Sequence, residues 1–449
     1  MSLPSSTSVL IVGAGPVGVS CALSLWTSGV RDIVIVDEAV RGADLASRAF
    51  VIHAGTLEAL DLVGAADPLI EAGITVTDMT YHDRDYNLLM GVDFDGLIGK
   101  TRFPFYLLIP QTATERVLNK RMDDLGISVH RPCKVVGMRE NPKDSRLADV
   151  SFEDGQSITA QYVIGADGPQ STIRQLSAIS FDDLDIVDRA RESNNLAQMI
   201  IADVTFDGDY FAPDRFYAIA SRESFFVLTP LRVPSIGAKD ARGKAVFRLA
   251  CGIPPSDGEA PSKPNLEYCR ELVEKYGPHK LSSKNPDAAR FDAVLWSTRF
   301  RTRYAAAETF FKHFGSDNKA GSPGASVCLV GDAAHIHPPA GGQGMNLGLR
   351  DAVSVGPVIA SALTAGPSLE SDEKVRAHMA LRRERALTVI TITKTMAAML
   401  GMAPGVQEKF AWLPIHIYTI RDWALWTLSK SKWIRDKLAV KFSGIEDTV

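Results

Sequence analysis

The stretch S-V-L-I-V-G-A-G-P-V-G, residues 8–18, decides the fold class of this chain. Its first five residues form a short β-branched run, which is typical of a strand buried on both faces. Gly13, Gly15 and Gly18 carry the spacing G-x-G-x-x-G, and residues 16–28 have a helical pattern. The stretch therefore predicts a strand, a tight glycine turn and a helix.

A second buried strand, I-V-I-V at residues 33–36, completes a strand–helix–strand unit and is followed by Asp37. The three glycines permit, in order, the tight turn, the approach of a diphosphate to the backbone, and close packing of helix on strand. The helix N-terminus favours the negative charge of a diphosphate. Asp37 lies 19 residues after Gly18, where a carboxylate can bind the hydroxyls of an adenosine ribose. The unit predicts dinucleotide binding and leaves FAD and NAD both open.

Composition and charge exclude several classes of protein. The 449 residues are 45% apolar and 23% charged, as in ordinary globular proteins, so extended disorder is excluded. The net charge of −4 shows no basic excess, which argues against a nucleic-acid partner. The five cysteines stand singly, so they indicate neither a disulfide framework nor a zinc site, and they fit a reducing compartment.

Residues 1–30 carry no charge, and the apolar run within them is long enough to suggest a membrane span or a signal peptide. No basic segment precedes the run, and the glycines of the first motif interrupt it. We therefore interpret it as a buried strand and helix, and we expect a soluble, cytoplasmic protein with no signal peptide or transmembrane helix.

A second glycine-rich loop follows a buried strand late in the chain. The strand at residues 327–330 ends in Gly331 and Asp332, and the loop P-P-x-G-G-x-G-M-N at 338–346 leads into a helix at about 345–364. The carboxylate can bind a ribityl or pyrophosphate edge, and the backbone N–H groups can stabilise an anionic ring edge such as that of a reduced flavin. This second motif favours FAD over NAD.

A third motif, G-A-D-G-x-x-S-x-x-R at residues 165–174, lies between the other two. In this order the three motifs resemble those of the class A flavoprotein aromatic monooxygenases, the family of 4-hydroxybenzoate hydroxylase. The resemblance spans positions 13–346, about three-quarters of the chain. It implies tightly bound FAD, with NADPH or NADH as a transient electron donor, and it implies O₂ and a small aromatic substrate.

The resemblance also implies roles for individual residues. Asp37 is expected to hold the adenosine ribose of FAD, and Asp332 is expected to hold the ribityl chain. Gly344, Met345 and Asn346 are expected to hold the pyrimidine edge of the isoalloxazine ring.

Four further positions match the family. Gln111, at the start of the helical segment Q-T-A-T-E-R-V-L, matches a position that reaches the cofactor, and Arg48 matches one that lies along it. Asp167 and Arg174 of the third motif are implied in contacts with FAD and, transiently, with NAD(P)H.

The chain departs from the family at two points. Many relatives carry an arginine before T-L-E, where this chain has Gly55 before Thr56. The serine, arginine and tyrosine that grip the substrate carboxylate in 4-hydroxybenzoate hydroxylase have no counterpart that can be aligned. The identity of the substrate therefore stays open.

The sequence offers four candidates on the substrate side. Tyr217 and Arg222, in F-Y-A-I-A-S-R-E, lie on a predicted substrate sheet and could orient a phenolate, although such half-buried strand positions are more often structural. His53 could approach the flavin, and Pro339 lies in the second glycine-rich loop. The two histidines just before that loop are interpreted as packing residues, and no metal site is expected.

The predicted fold class is α/β: a Rossmann-type FAD-binding domain with an inserted β-rich substrate domain and C-terminal helices. The strands at 8–12 and 327–330 are both expected in the centre of one sheet. The domains are assigned as follows: FAD-binding domain, 1–74, 106–178 and 325–365; substrate domain, 75–105 and 179–324; C-terminal helical region, 366–449.

Three local predictions accompany this fold. A hairpin is expected with E-D-G at residues 153–155 as its turn, and a helical stretch is expected near 54–72. The segment 374–441 is expected to be helical.

The C-terminal tail is rich in tryptophan, and it allows two interpretations. Trp412, Trp423, Trp426 and Trp433 stand in or near a segment, residues 421–441, with six basic and two acidic residues. Such a helix could lie on a membrane surface. The alternative, which we favour, is that the tryptophans pack on the main body or on a partner subunit of a homodimer while the lysines stay in water.

The resemblance implies an FAD-dependent monooxygenase that hydroxylates a phenol, a hydroxybenzoate or a prenylated phenol through a flavin C4a-hydroperoxide, with oxidative decarboxylation as a further outcome. Three alternatives remain. An isoprenoid epoxidase would share all three motifs. A flavin-dependent halogenase would carry a W-x-W-x-I-P signature, which is not evident here. A nucleotide-binding module without turnover would be colourless when purified.

Overall fold

The structure is a computed structural model that describes ten segments of the chain. They are residues 3–40, 49–184, 197–207, 215–221, 224–232, 243–281, 290–314, 324–366, 368–399 and 417–447. Three residues considered above, Arg48, Arg222 and Trp412, lie outside the described segments.

The described segments contain strands that build two large and two small sheets. In chain order they are β1 (Ser6–Val12), β2 (Ile33–Val36), β3 (Val51–Ile52), β4 (Ile74–Val76), β5 (Asp78–His82), β6 (Leu88–Asp93), β7 (Tyr106–Leu108), β8 (Val129–His130), β9 (Val135–Glu140), β10 (Ala148–Phe152), β11 (Ser157–Gly165), β12 (Phe181–Asp183), β13 (Ala197–Asp207), β14 (Tyr217–Ala220), β15 (Phe225–Leu231), β16 (Val246–Ile253), β17 (Arg290–Thr302), β18 (Ala305–Ala307), β19 (Phe311–Phe314), β20 (Ala325–Leu329) and β21 (His335–Ile336).

Helices connect the strands and form the C-terminal part. In chain order they are α1 (Pro16–Thr27), α2 (Ala54–Leu62), α3 (Ala66–Ala72), α4 (Gln111–Asp124), α5 (Thr172–Leu176), α6 (Leu266–Tyr276), α7 (Gln343–Ala365), α8 (Leu369–Met399), α9 (Ile417–Ser429) and α10 (Lys432–Ser443).

The first large sheet has the strand order β19-β20-β11-β1-β2-β8. All neighbours in this order are parallel except β19 and β20. β10 pairs with the first half of β11, and β9 pairs with β10. The expected return of the chain to its first sheet is confirmed, because β20 joins the sheet through β11. The hairpin at 153–155 is confirmed as well, with Gly155 in the left-handed region at φ +85°.

The uncharged N-terminal run is accounted for by α1. This helix is buried over eight consecutive residues, Gly18–Leu25, because it lies between the first sheet and α7. The helices approach so closely that a Cβ on Gly356 would lie 2.1 Å from Ser24 Oγ. A helix covered on both sides has no position for a charged side chain. Within the described segments, no helix combines the length and the apolar character that crossing a bilayer requires.

The second large sheet has the order β17-β13-β16-β15-β14-β5-β6 and is antiparallel except between β14 and β5. Its two faces differ. The outer face carries a cluster that includes Ile200, Val204 and Phe247 and packs against α6. The inner face carries Met199 and Ile201 and turns toward the first sheet, where Phe50 packs on it.

The small sheets have the orders β3-β7-β4 and β12-β18-β21. The arrangement of a parallel sheet with helices, an inserted antiparallel sheet and C-terminal helices is the α/β fold class that the sequence predicts. The helical stretch expected at 54–72 is two helices, because Gly64 adopts φ +72° between α2 and α3. The segment expected to be helical at 374–441 forms α8, α9 and α10 where it is described.

The C-terminal helices correct one expectation. α9 and α10 pack on β6, and α10 also packs on the 3₁₀ turn Phe94–Leu97. The side chains of Trp423, Trp426 and Trp433 are exposed. The expectation that these three tryptophans pack on the main body is therefore wrong, and their packing on a partner subunit stays a prediction.

Candidate functional site

The glycine and aspartate motifs meet at one edge of the first sheet. In the register of the sheet, Val12 of β1 pairs with Val36 of β2 and with Gly165 of β11, and Gly165 pairs with Leu329 of β20. Each motif begins within two residues of these positions. Four parallel strands therefore present their carboxyl ends, and the loops after them, side by side, which is where ligands bind in open α/β sheets.

The first glycine loop has a shape that requires glycine at two positions and leaves the third open. Gly13 has φ +100°, and a Cβ on it would lie 2.3 Å from the carbonyl oxygen of Ala166. A Cβ on Gly18 would lie 1.9 Å from the carbonyl oxygen of Gly13. Among the described residues, no atom lies within 4 Å of a Cβ built on Gly15. The loop is thus pressed against the sheet and open at Gly15, beside the N-terminus of α1, as a diphosphate requires.

Asp37 lies beside this loop at the end of β2. Its carboxylate accepts hydrogen bonds from the backbone N–H groups of Ala14, at 2.6 Å, and Ala39, at 2.8 Å. Arg131 approaches the same carboxylate at 3.9 Å and donates a hydrogen bond to the carbonyl oxygen of Ala14. The carboxylate is therefore held at the position from which a ribose next to the diphosphate can be bound.

A cavity of about 600 Å³ joins the two glycine-rich loops. Gly15 and Pro16 line it from the first loop, and Asp332, Gly344 and Met345 line it from the second. Further lining residues come from α4 and from the second large sheet: Gln111, Glu115, Ile201, Phe300, Arg301 and Arg303. One continuous space therefore touches a diphosphate cradle and the inner face of the antiparallel sheet.

A family model described as an FAD binding domain matches residues 6–248 and 322–384 of this chain. The chain belongs to the class A FAD-dependent aromatic hydroxylase family. The open cradle at Gly15 and the aspartates at 37 and 332 fit FAD, the cofactor of this family.

Relatives and solved structures agree with this family. The flavoprotein is 30% identical to pentachlorophenol 4-monooxygenase of Sphingobium chlorophenolicum over 78% of its own length and 58% of that protein's. It is 28% identical to rifampicin monooxygenase of Streptomyces venezuelae over 89% of its length and 73% of that protein's. The crystal structure of p-nitrophenol 4-monooxygenase PnpA from Pseudomonas putida DLL-E4 has the same fold, with a TM-score of 0.75 over 99% of both chains at 21% identity.

Asp167 and Arg174 of the flavoprotein make contacts inside the protein. Asp167 accepts hydrogen bonds from Ser171 Oγ, at 2.6 Å, and from the backbone N–H of Ile173, at 3.0 Å. Burial raises the pKa of Asp167, although these hydrogen bonds oppose the rise. Arg174 donates hydrogen bonds to the carbonyl oxygens of Ala333 and Pro169. Asp167 therefore holds the loop after β11 together, and Arg174 ties this loop to the loop after β20.

The side chain of Asn346 also makes its hydrogen bonds within the protein. Its Oδ1 accepts a hydrogen bond from the backbone N–H of His53 at 2.8 Å, and its Nδ2 donates to Val51 at 2.9 Å and to Gly342 at 2.7 Å. The side chain is completely buried. It therefore fastens the segment between β3 and α2 to the second glycine-rich loop, while Gly344 on the first turn of α7 faces the cavity.

Gln111 is the first residue of α4 and lines the cavity, and its contact with FAD stays a prediction. Its Nε2 donates a hydrogen bond to Glu115 Oε1 at 2.8 Å, and its backbone N–H donates to the carbonyl oxygen of Ala49 at 2.9 Å. Both Gln111 and Glu115 line the cavity.

Three histidines lie close to the second glycine-rich loop. Burial lowers the pKa of His53 to about 3, with the charge of Arg350 acting in the same direction, and the ring stacks on Tyr106 at 4.6 Å between centroids. Burial lowers the pKa of His337 to about 4, and its Nδ1 donates a hydrogen bond to the carbonyl oxygen of Pro338. Both rings are therefore neutral at physiological pH. His337 and Pro339 line the cavity.

The third histidine, His335, belongs to a buried network. Its Nε2 lies 2.6 Å from Asp351 Oδ2, and Arg382 lies 2.8 Å from Asp351 Oδ1. Burial raises the pKa of Asp351, but the charges of Arg382 and His335 outweigh it and hold the value below 3.8. The network joins β21, α7 and α8. Within the described segments, no group of three or more His, Cys, Asp or Glu side chains has the arrangement of a metal site.

The substrate-side tyrosine does not reach the cavity. Tyr217 packs with the outer-face cluster of the second sheet, whereas its neighbour Ala218 lies on the inner face. The expected role of Tyr217 in orienting a phenolate therefore has no geometric support. The inner face instead carries Trp296 and Phe300 of β17.

The sequence-based interpretation did not identify this aromatic wall. Phe50, Tyr81, Phe216 and Phe225 pack on the same inner face from other segments. A signal was present in β17, because Trp296 and Phe300 are four residues apart and side chains at even spacing share one face of a strand. The sequence does not show which face of β17 turns toward the cavity, because the pairing of β17 with β13 is irregular at residues 203–206 of β13.

Proposed function

We propose that this flavoprotein is a monooxygenase that uses FAD, NADPH or NADH, and O₂ to hydroxylate an electron-rich aromatic ring. The observation that carries the proposal is the single cavity that joins the diphosphate cradle, the second glycine-rich loop and the aromatic wall. Two relatives are named as acting on phenols, pentachlorophenol and p-nitrophenol, which supports a phenolic substrate.

When bound, FAD accepts a hydride from the nicotinamide and activates O₂ so that one oxygen atom is transferred to the ring. The overall change is balanced as follows. The substrate R–H, O₂, NAD(P)H and one proton give R–OH, NAD(P)⁺ and water. One oxygen atom enters the C–H bond, and the two electrons of NAD(P)H reduce the other, which leaves as water with the hydride hydrogen and the proton.

The chain contributes binding, orientation and exclusion of water. Gly15 and the N-terminus of α1 would hold the diphosphate, with Asp37 on the ribose and Asp332 on the ribityl chain. The backbone N–H groups at Gly344 and Met345, at the start of α7, favour negative charge on the nearby edge of the flavin ring.

The aromatic wall would hold the substrate ring. Phe300 and Ile201 line the cavity from the second large sheet, Phe50 lines it just before β3, and Pro339 lines it from the second glycine-rich loop. Apolar walls exclude water from the reacting atoms and favour a flat aromatic ligand. His337, which is neutral, lines the same cavity, and its Nε2 carries no hydrogen and has no partner among the described residues because its Nδ1 donates to Pro338. It is a candidate for accepting a hydrogen bond from a phenol hydroxyl.

The deciding experiment measures NADH and NADPH oxidation by the flavin-loaded protein with a panel of phenols, hydroxybenzoates and prenylated phenols. Hydrogen peroxide and hydroxylated product are quantified together. We expect at least one phenol to speed oxidation and to appear with one added oxygen atom. Faster oxidation with peroxide alone would mean that the compound only mimics the substrate. If no aromatic compound changes the rate, the proposal fails and the isoprenoid epoxidase becomes the better interpretation.

A matched pair of variants tests the aromatic wall. Phe300→Ala removes a ring that lines the cavity, whereas Val294→Ala shortens a side chain on the outer face of the same strand. We expect Phe300→Ala to raise KM for the active phenol by about tenfold, through the lost apolar contact area, with unchanged FAD content. Val294→Ala should leave KM unchanged. Equal KM values in both variants would place the substrate elsewhere.

A further inference from the structure

Three tryptophans of the C-terminal helices are exposed. In α9, Trp423 is 67% exposed and Trp426 is 46% exposed, and in α10, Trp433 is 65% exposed. Single apolar residues on a surface are common, but several large ones on neighbouring turns mark an interaction site.

Lysines stand beside these rings. Nζ of Lys430 lies 4.5 Å from the ring centroid of Trp426, and Nζ of Lys437 lies 4.2 Å from that of Trp433. Lys441 continues the α10 stripe one turn further. We call this set the Trp–Lys surface, and it comprises Trp423, Trp426, Lys430, Trp433, Lys437 and Lys441.

Within the part of the chain that the structure describes, Lys430, Lys437 and Lys441 form no ion pair with a carboxylate. Of the two acidic residues of 421–441, Asp422 pairs with Arg421 at 2.7 Å, and Asp436 lies against Gly96 on the 3₁₀ turn. The surface therefore presents apolar rings and positive charge together.

Both helices of the Trp–Lys surface rest on β6. α9 and α10 contact β6, and α10 also contacts the 3₁₀ turn Phe94–Leu97. On the inner side of α10, Arg435 lies 3.5 Å from Asp93, and Ala439 is completely buried. Trp433 and Lys437 lie on the opposite side of the same helix.

We propose that the Trp–Lys surface binds the anionic face of a lipid bilayer as a peripheral membrane contact. Tryptophan favours the boundary between headgroups and acyl chains, because its ring is apolar and its N–H can remain hydrated. Lysines next to such rings are attracted by anionic lipid headgroups. Both features are required of an interfacial helix, and the ring–lysine pairs Trp426–Lys430 and Trp433–Lys437 supply both here.

Charge also argues against a second copy of this chain as the occupant. A twofold dimer brings the same patch of each subunit together, so Lys430, Lys437 and Lys441 of both subunits would lie in one interface. Like charges at an interface oppose association. An anionic bilayer offers the opposite charge and an apolar interior for the rings. The inference does not depend on the proposed oxidation chemistry.

Vesicle sedimentation with the full-length, flavin-loaded protein tests the proposal. The vesicles are made of phosphatidylcholine alone or of phosphatidylcholine mixed with phosphatidylglycerol. We expect the protein to sediment with the mixed vesicles, to sediment weakly with the neutral ones, and to be released at high salt because exposed charges are screened. Failure to sediment with the mixed vesicles would overturn the proposal.

Variants locate the contact. Trp423→Ser with Trp433→Ser should lower the partition coefficient by about tenfold or more through lost apolar burial. Lys430→Gln with Lys437→Gln should lower it by about fivefold per lysine on the mixed vesicles. Lys143→Gln with Lys263→Gln removes the same charge from exposed positions elsewhere and should leave binding unchanged. Equal binding by all variants would overturn the proposal.

Four further measurements complete the test. Flavin content and melting temperature are measured for each variant, and brominated phosphatidylglycerol should quench the tryptophan emission of the unmodified protein without any substitution. Unquenched emission would overturn the proposal. Light scattering gives a further outcome that would overturn the proposal: a dimer that does not bind vesicles and that Trp423→Ser with Trp433→Ser converts to a monomer. A second copy of the chain would then cover the Trp–Lys surface.

Discussion

Asp37 and Glu38 are adjacent carboxylates with different surroundings. Asp37 accepts two backbone hydrogen bonds beside the first glycine loop, whereas Glu38 is exposed. We predict that Asp37→Ala weakens FAD binding by about 1–3 kcal/mol, because it removes a charged hydrogen-bond acceptor. Glu38→Ala should leave the affinity unchanged. FAD titration of the apoprotein, followed by flavin fluorescence, measures both. Unchanged affinity in Asp37→Ala with a loss in Glu38→Ala would move the ribose contact to Glu38.

His53 and His337 couple stability to pH. Burial lowers their pKa values to about 3 and about 4, below the ordinary histidine value of 6.5. As pH falls below 6.5, the unfolded chain binds protons that the native chain does not, so the free energy of unfolding decreases until the native pKa is reached. At physiological pH the stabilisation from the neutral rings is fully present.

We therefore predict that the free energy of unfolding falls between pH 6.5 and pH 5, with a slope of up to ~1.4 kcal/mol per pH unit for each buried histidine. Urea unfolding at several pH values and fixed FAD concentration measures the slope. His53→Asn should reduce this slope by the contribution of one histidine, because the titrating group is gone. The same slope in the variant and the unmodified protein would contradict the assignment.

At the scale of elements, Gly55 shows how the C-terminal tail packs on α2. A Cβ on Gly55 would lie 2.3 Å from the carbonyl oxygen of Gly444, which also accepts a hydrogen bond from Arg350 at 3.1 Å. No side chain fits at position 55 while the tail is in place. The tail backbone thus occupies the space next to the position where many relatives carry an arginine.

We predict that Gly55→Ala destabilises the protein by about 1–3 kcal/mol, because the new methyl group collides with backbone. Helix propensity alone would give the opposite sign, since alanine is better than glycine in a helix by ~1 kcal/mol. The sign of the change therefore separates the two effects. Gly137→Ala in β9, where the nearest atom would be 3.8 Å away, is the control and should not destabilise. Urea unfolding measures both, and a stabilised Gly55→Ala would refute the contact.

At the scale of the whole molecule, the cavity is assembled from distant parts of the chain. Gly15, Gln111, Phe300 and Gly344 all line it, although more than 300 residues separate the first from the last. A ligand that contacts all these parts binds the native chain and not the unfolded one. Its binding energy is therefore added to the stability of the entire fold.

We predict that FAD at about one hundred times its Kd stabilises the apoprotein by about 2.7 kcal/mol. FMN, which lacks the adenosine and one phosphate, cannot contact Asp37 and the second glycine-rich loop together. It should raise the melting temperature much less at the same concentration. Differential scanning fluorimetry of the apoprotein compares the two, and equal shifts would show that the adenosine half does not use the first glycine loop.

The candidate site divides into parts that were predictable and parts that were not. The spacing of Gly13, Gly15 and Gly18 and the position of Asp37 after β2 depend on backbone conformation within about thirty residues, and local sequence determines such conformation. The directions of the Arg174 and Asn346 side chains depend on the backbone groups of Ala333, Val51 and His53 that lie opposite them. Those groups come from segments far away in the chain, so a motif cannot specify them.

The sequence by itself determined the cofactor loops, their order and the α/β fold class, because the glycine geometry and the buried strands are local properties. Only the tertiary structure decided that Tyr217 faces away from the cavity and Phe300 faces into it. The physical reason is that strand pairing and its irregularities set which face of a strand meets the cavity. The same holds for the contact between Gly55 and Gly444, since only the folded chain brings two glycines from its opposite ends together.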